Sequence, residues 1–264
     1  MSETEVVLDL ALSLARSAGE IQRSRYETAL VVETKSAPVD LVTEVDRDCE
    51  ALVVEGIRGA RPDDAIVAEE GSRSGDADAT WRWVIDPLDG TTNFAHGYPR
   101  FCVSIGVERE GEPAVGVVYD PLMDELYHAV AGGGAFRNGK RIHVSEETDL
   151  GRALLATGFA YDRRSSREDN LANFAAFLKR ARALRRDGSA ALDLCYVASA
   201  RLDGYWELKL SPWDVAAGSL IVTEAGGRCS DFSGGDGHRA GRQVLASNGG
   251  LHDAMLAVLR AGSA

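Results

Sequence analysis

Asp86 and Asp89 flank Pro87 and Leu88 in the stretch WVIDPLDGTTNF, where an apolar run gives way to Gly90, Thr91 and Thr92. Asp-Pro and Asp-Gly are common turn pairs, so one reading is a surface turn. The other is a metal and phosphate site. Pro87 fixes its own φ and stiffens the turn. Both carboxylates can then face one cavity, with the Leu88 carbonyl aimed there too. Gly90 lets the backbone approach a ligand closely. A helix or turn starting at 90–94 would offer free N–H groups to a phosphate, and the Thr91 hydroxyl would serve a water or a phosphate oxygen.

Three further segments put carboxylates after apolar strands or at helix starts. They are DLVTEVD (40–46), VAEEG with Glu69 and Glu70, and SPWDVAAG with Asp214. Strand ends of mixed α/β proteins are where sites gather. Hard divalent cations take oxygen ligands, and Mg²⁺ uses a few carboxylates while keeping waters and substrate phosphate oxygens. Two such ions, roughly 3.5–4 Å apart, can clamp the attacking and leaving oxygens of a phosphoryl group. Each acid also has an ordinary explanation. Ser211, Pro212 and Asp214 occupy the N-cap, N1 and N3 slots of a capping box. Asp40, Thr43 and Asp46 fit turn or cap positions, and Glu70 beside Glu69 fits a solvated surface. It is their combination that is unusual.

Other motifs fail. GAFRNGKR (134–141) approaches a phosphate-binding loop but has Arg141 where Ser or Thr must meet Mg²⁺, and it reads as a hairpin. The five histidines, at 96, 128, 143, 238 and 252, show no metal-ligand spacing, and no G-x-S-x-G elbow occurs.

The elements that must position the acids can be read in outline. Val6, Val7, Leu10, Leu14, Ala18 and Ile21 form a helical stripe over 6–25. ALVVETK (29–35) reads as a strand broken by SAPVD, and a second helix runs from near Thr43 to about Gly59. AIVAEEG and WRWVID hold short buried strands. From 101 to 145 come strands with tight turns at REGE and RNGK, and Asn138-Gly139 suits a type I′ hairpin. Beyond 150, strands are expected in ALLATGF, ARALRR and GRCSDF, and helices at 168–181, 189–200, 213–225 and 251–261. This is an α+β chain, with an antiparallel meander first and alternation after. It forms one domain, 1–264, with a soft subdomain boundary near 145–152.

The 264 residues suffice for a sizeable core. No run approaches the ~18 apolar residues of a membrane span. The acidic start MSETEVVLDL does not resemble a signal peptide. Four scattered cysteines without a C-x-x-C pair suggest neither zinc nor disulfides, so a cytoplasmic setting is expected. A net charge of −12 argues against direct nucleic-acid or anionic-membrane binding, though not against a local basic pocket.

WVIDPLDGTTNFAHGYP resembles the first signature of the inositol monophosphatase family, and WDVAAGSLIVTEAGG (213–227) resembles the second. KSAPVDLVTEVD (35–46), VAEEG (67–71) and GSAALDLCYVASARLDGYWE (188–207) resemble further family segments in the same order, so the match spans roughly 5–260. The resemblance implies a layered αβαβα sugar-phosphatase fold, commonly a homodimer. It also implies lithium-sensitive hydrolysis of a phosphate monoester with two to three Mg²⁺ ions. By position, Glu69, Asp86 and the Leu88 carbonyl correspond to a first metal site; Asp86, Asp89 and Asp214 to a second; and Glu69 again to a third. Thr91 and Asp46 correspond to the pair that positions the attacking water, with Glu69 completing the catalytic set. Gly90 and Thr91 correspond to the phosphate cradle. Gly188, Ser189, Ala190 and Glu207, with Asp89 and Asp214, correspond to substrate contacts, and Lys35 to a support of the metal loop. Ser189 departs from relatives that carry Thr, and WELKLSPWD differs from several of them.

The implied substrate is a small phosphorylated polyol or sugar, inositol monophosphate first. Fructose 1,6-bisphosphate, histidinol phosphate and nucleoside phosphates remain as alternatives. A bisphosphate would use arginines such as those of YDRRSSRED (161–169) or RARALRR (180–186), which otherwise form a solvated basic face. A different class, a regulatory partner of the transcription machinery, also stays open.

Overall fold

The computed structural model describes residues 1–35, 39–76 and 78–262. The break expected at SAPVD falls largely on 36–38, outside the described residues. The elements run α1 (Glu3–Arg25), β1 (Val32–Thr34), β2 (Leu41–Thr43), α2 (Glu44–Ala60), β3 (Ala65–Ala68), β4 (Arg73–Ser74), β5 (Trp81–Asp89), α3 (Thr91–Ala95), β6 (Cys102–Arg109), β7 (Glu112–Asp120), β8 (Glu125–Val130), β9 (Gly134–Arg137) and β10 (Lys140–Arg141). The second half holds β11 (Leu154–Thr157), α4 (Leu171–Leu178), β12 (Ala183–Arg185), α5 (Ala190–Ala198), β13 (Gly204–Leu208), α6 (Pro212–Glu224), β14 (Arg228–Ser230), β15 (Gln243–Ser247) and α7 (His252–Gly262).

These stack as α, β, α, β, α. An eight-stranded sheet has the order β10-β9-β8-β7-β6-β5-β3-β4, and a five-stranded one has the order β12-β11-β13-β15-β14. Helices α1 and α2 cover the outer face of the large sheet, α5 and α6 lie between the sheets, and α4 and α7 cover the small sheet. Strand alternation makes this possible. In β15, Val244 and Ala246 face the central helices while Leu245 packs against the outer layer with Met255 and Phe177.

Helix α1 starts at a capping box between Ser2 and Glu5 and buries Val7, Ala11, Leu14 and Ala18. Val6, expected on that stripe, is 41% exposed. The apolar face is set by the 7, 11, 14, 18 spacing, and Val6 lies off it. The REGE and RNGK hairpins form, with Glu110, Gly111, Asn138 and Gly139 all at positive φ. The helix expected over 168–181 is shorter, at Leu171–Leu178. Strands β13 and β15 are not revealed by the sequence pattern. Both are short apolar runs, for which periodicity cannot separate strand from helix.

Helix α6 lies against β6 and β7 at very close range. A Cβ on Gly106 would come within 2.6 Å of the Ala216 Cβ, and one on Gly116 within 2.7 Å of the Ala217 carbonyl oxygen. The two glycines therefore let the helix backbone sit on the sheet, which fixes where the first turn of α6 projects.

Candidate active site

The pairing of β5 with β6 explains the Asp-Pro-Leu-Asp spacing. Asp86 stands opposite Ser104 and Asp89 opposite Cys102, with a register shift between them. Three steps on β5 thus match two on β6. In a regular strand, residues three apart point to opposite faces; the extra residue of the bulge returns Asp89 to the side of Asp86. Gln22 of α1 fastens the bulge. It is fully buried, and its amide donates to the Pro87 carbonyl at 2.8 Å. Gly90 then turns the chain at φ 98° into α3. A Cβ there would lie 2.7 Å from the Arg100 carbonyl oxygen.

Each acid is held by its own element. Asp46 is the N3 residue of α2, where its Oδ2 accepts the Thr43 amide at 2.9 Å and the Thr43 hydroxyl at 2.6 Å. Its Oδ1 accepts the Thr91 hydroxyl at 2.8 Å. Burial pushes the Asp46 carboxyl upward against those bonds. Glu69 follows β3 and pairs with Lys35 at 2.8 Å, and Lys35 also donates to Glu70. Glu50 of α2 clamps the same loop, accepting the amides of Glu70 at 2.7 Å and Ser72 at 2.9 Å. Asp214 is the N3 residue of α6 and accepts the Ser211 amide at 2.7 Å. Its capping role and its place in the cleft coexist.

Asp89 is tied to the second half of the chain. It accepts the Ser189 hydroxyl at 2.6 Å and the amides of Ala191 at 2.7 Å and Ala190 at 3.3 Å. These are the cap and first turn of α5, where free N–H groups and the helix dipole favour an anion. Even so, burial holds Asp89 up at about 6. Burial also raises Asp86 and Asp214 well above the carboxylate range, and Glu69 and Asp89 push both further.

These side chains face one cleft of about 390 Å³, lined by Lys35, Glu69, Asp86, Leu88, Asp89, Gly90, Thr91, Gly188, Ala190, Glu207 and Asp214 among others. Asp46 stands behind it through Thr91. Ser189 is 1% exposed; its side chain faces Asp89, so it touches the cleft through a metal-ligand candidate. Glu207 accepts the Tyr205 hydroxyl at 2.5 Å and is raised by burial to about 7. Gly158 makes room for it, since a Cβ there would lie 2.1 Å from a Glu207 carboxylate oxygen.

Gln22, Gly158, Tyr161 and Lys209 were not singled out by sequence reasoning, whereas Arg186 is one of the RARALRR arginines considered there for a bisphosphate. The strand-end rule would have found Gly158, which follows β11. Lys209 is engaged by Asp162 at 2.7 Å and Ser166 at 2.6 Å.

The donor set fits a hard divalent cation. Neither histidine nor cysteine lines the cleft among the described residues, and crowded buried carboxylates that raise one another's pKa call for a cation. No three acids among the described residues are drawn into a ready-made cage.

A family model described as the inositol monophosphatase family matches residues 3–263. The chain belongs to the inositol monophosphatase family. It is 43% identical over 260 residues to the inositol-1-monophosphatase of Synechocystis sp., covering 98% of this chain and 91% of that one. It is 43% identical over 243 residues to the Nus factor SuhB of Vibrio cholerae, covering 92% and 91%. The solved inositol monophosphatase of Anabaena (Nostoc) sp. PCC 7120 superposes with a TM-score of 0.89 at 43% identity, covering 98% and 97%. As an inositol monophosphatase family member, the chain is a phosphoric monoester hydrolase of a metal-dependent family with the layered α+β fold.

Proposed function

We propose that the cleft hydrolyses a small polyol phosphate, inositol monophosphate first, with Mg²⁺ and a water nucleophile. The carrying observation is the β5 bulge, which sets Asp86 and Asp89 on one side beside Glu69 and Asp214. Glu69, Asp86 and the Leu88 carbonyl would hold one ion, and Asp86, Asp89 and Asp214 a second. Glu69 would share in a third. When bound, the ions supply an acidified water and neutralise charge on phosphate.

The chain supplies the rest. The Thr91 hydroxyl donates a hydrogen bond to Asp46, so its oxygen is free to accept a hydrogen bond from the attacking water and aim it. Asp46, raised by burial, is suited to take the proton onward. The Gly90 and Thr91 backbone groups would cradle phosphate. Glu207, with the backbone of Gly188 and Ala190, would read substrate hydroxyls. Ser189 would act by fixing Asp89, and Lys35 by steadying the loop of Glu69 and Glu70.

Arg186 on the cleft wall favours a second reading, in which the substrate carries another anionic group, as a sugar bisphosphate does. The relative named Nus factor SuhB supports a regulatory role alongside catalysis, since the expected ligand positions all hold competent oxygen donors. We take the chain as one functional unit with its internal boundary near 145–152, working as a cytoplasmic homodimer and inhibited by lithium. No described helix is long and apolar enough to cross a membrane.

A substrate panel tests the reading: phosphate release from inositol 1-phosphate, fructose 1,6-bisphosphate, histidinol phosphate and a nucleoside monophosphate, with Mg²⁺ and lithium titrations. The highest kcat/KM on inositol 1-phosphate is expected. A higher value on the bisphosphate that Arg186→Ala abolishes would favour the second reading.

A further inference from the structure

Helix α1 buries Val7, Ala11, Leu14, Ala15, Ala18, Gly19 and Gln22. The spacing 11, 14, 18, 22 keeps position 22 on the apolar stripe, where an aliphatic side chain is the ordinary occupant. Gln22 stands there instead, fully buried. Its Oε1 has no hydrogen-bond partner among the described residues, and an unpaired buried acceptor is destabilising. The compensation lies at the other end of the carboxamide.

Gln22 Nε2 reaches one carbonyl on each strand at the bulge, Pro87 of β5 at 2.8 Å and Cys102 of β6 at 3.3 Å. An amide NH₂ carries two donors, so both bonds form together. They also fix the orientation of the amide, because turning it over would set Oε1 against two carbonyl oxygens.

The Pro87 carbonyl shares a planar peptide unit with the Leu88 N–H. That N–H does not continue the ladder but donates to Asp86 Oδ1 at 3.0 Å. The peptide plane is therefore held at both edges, by Gln22 on one and by the Asp86 carboxylate on the other. Rotating it would re-aim the Asp86 side chain and the Leu88 carbonyl, the two groups that flank it. Cys102 stands opposite Asp89 in the strand pairing, so the second bond of Gln22 holds the strand beside the other acid of the bulge.

We propose that Gln22 is a positioning residue for the metal site. By tying the Pro87 and Cys102 carbonyls to α1, it presets Asp86, the Leu88 carbonyl and Asp89 for a divalent cation. This rests on the reading of the cleft as a Mg²⁺ site. Gln22 does not itself line the cleft; it acts through the backbone. Gln22→Met keeps the length and burial of the side chain and removes both donors. The 87–88 plane is then free to turn, and an ion must order it on binding. Groups that orient metal ligands are typically worth 10–100-fold in affinity.

Nitrogen-15 NMR of the full chain, freed of metal by chelator and titrated with Mg²⁺, tests this through the Gly90 backbone amide. Three proteins are compared: wild type, Gln22→Met and Leu14→Ala. Leu14 is buried on the same helix and lies against Gly56 of α2, so its truncation loosens α1 without touching the bulge. The Mg²⁺ Kd should rise about tenfold or more in Gln22→Met and stay at the wild-type value in Leu14→Ala. In the wild type, the Gln22 side-chain NH₂ signals should shift with the same Kd as the Gly90 amide, which keeps the test open if Gln22→Met misfolds. Equal Kd values for wild type and Gln22→Met overturn the inference and leave the metal reading standing. So does an equal rise in both variants, which would assign the effect to a loosened α1, or a Gln22 signal that ignores Mg²⁺ while Gly90 responds. A wild type that binds no Mg²⁺ overturns the metal reading and this inference with it.

Discussion

Thr91 Oγ1 lies 2.8 Å from Asp46 Oδ1, joining the first residue of α3 to the third residue of α2. The bond orients a hydroxyl that faces the cleft and ties it to a buried acid whose other oxygen is already occupied by Thr43. Under the proposed mechanism this pair aims the attacking water and removes its proton. Thr91→Val keeps the shape and removes the relay. Its kcat should fall about 10²–10⁴-fold with KM nearly unchanged, the range for a lost general-base function. Steady-state phosphate release measures both; a large KM change with kcat intact would mean that Thr91 serves binding alone.

Ser189 offers a finer test, because its hydroxyl reaches Asp89 and not the cleft. Ser189→Ala leaves Asp89 with the two α5 amides. Removing a partner that orients a metal ligand typically costs 10–100-fold in metal affinity or activity. The Mg²⁺ concentration for half-maximal rate should therefore rise about tenfold, while KM for substrate changes less. A reversed pattern would place Ser189 in direct substrate contact.

Gly116→Ala drives a methyl group into the backbone of α6 at Ala217. Overpacking costs ~1–3 kcal/mol, which lowers the melting temperature by on the order of 5 °C in a chain of this size. The helix must move, and Asp214 moves with it, so Mg²⁺-dependent activity should fall beyond the stability loss. Calorimetry with a rate assay at 20 °C separates the two effects. An unchanged melting temperature would contradict the close approach.

The raised acids give a pH signature. Asp89 is held up at about 6 and Glu207 at about 7, both above their unfolded values of about 4. Without metal the folded state binds more protons than the unfolded chain across roughly pH 4–7, so it loses stability as pH rises through that window. Bound Mg²⁺ favours the ionised form and reverses the loss. The rise in melting temperature on replacing chelator with Mg²⁺ should be larger at pH 8 than at pH 5. An equal or larger rise at pH 5 would contradict the placement of Asp89 on the ion.

Much of the site was legible because its residues also serve local structure. Asp214 and Asp46 each occupy an N3 capping position, and Gly90 is a turn glycine, so local patterns flagged them. The bulge was less legible. Asp-Pro-Leu-Asp gives the spacing, but Gln22, which secures it from α1, is remote in sequence and reads as one polar residue on a helix. The small sheet was the weakest part, since β13 and β15 carry no periodic signature, and with them the surroundings of Glu207 were lost. Ser189 could be placed by resemblance, but whether its side chain faces substrate or Asp89 depends on how the two halves pack.

The central claim is that the bulged end of β5, with Glu69 and Asp214, forms a Mg²⁺ site that hydrolyses phosphate monoesters. The direct measurement is phosphate release from inositol 1-phosphate against Mg²⁺ concentration, for the wild type and Asp89→Asn, with circular dichroism on both. The wild-type rate should be negligible in chelator and rise saturably with Mg²⁺. The variant should remain folded and be at least about 10²-fold slower at every Mg²⁺ concentration, given the share of such barriers that electrostatic stabilisation carries. Release that ignores Mg²⁺, or near-normal turnover by Asp89→Asn, would contradict the claim.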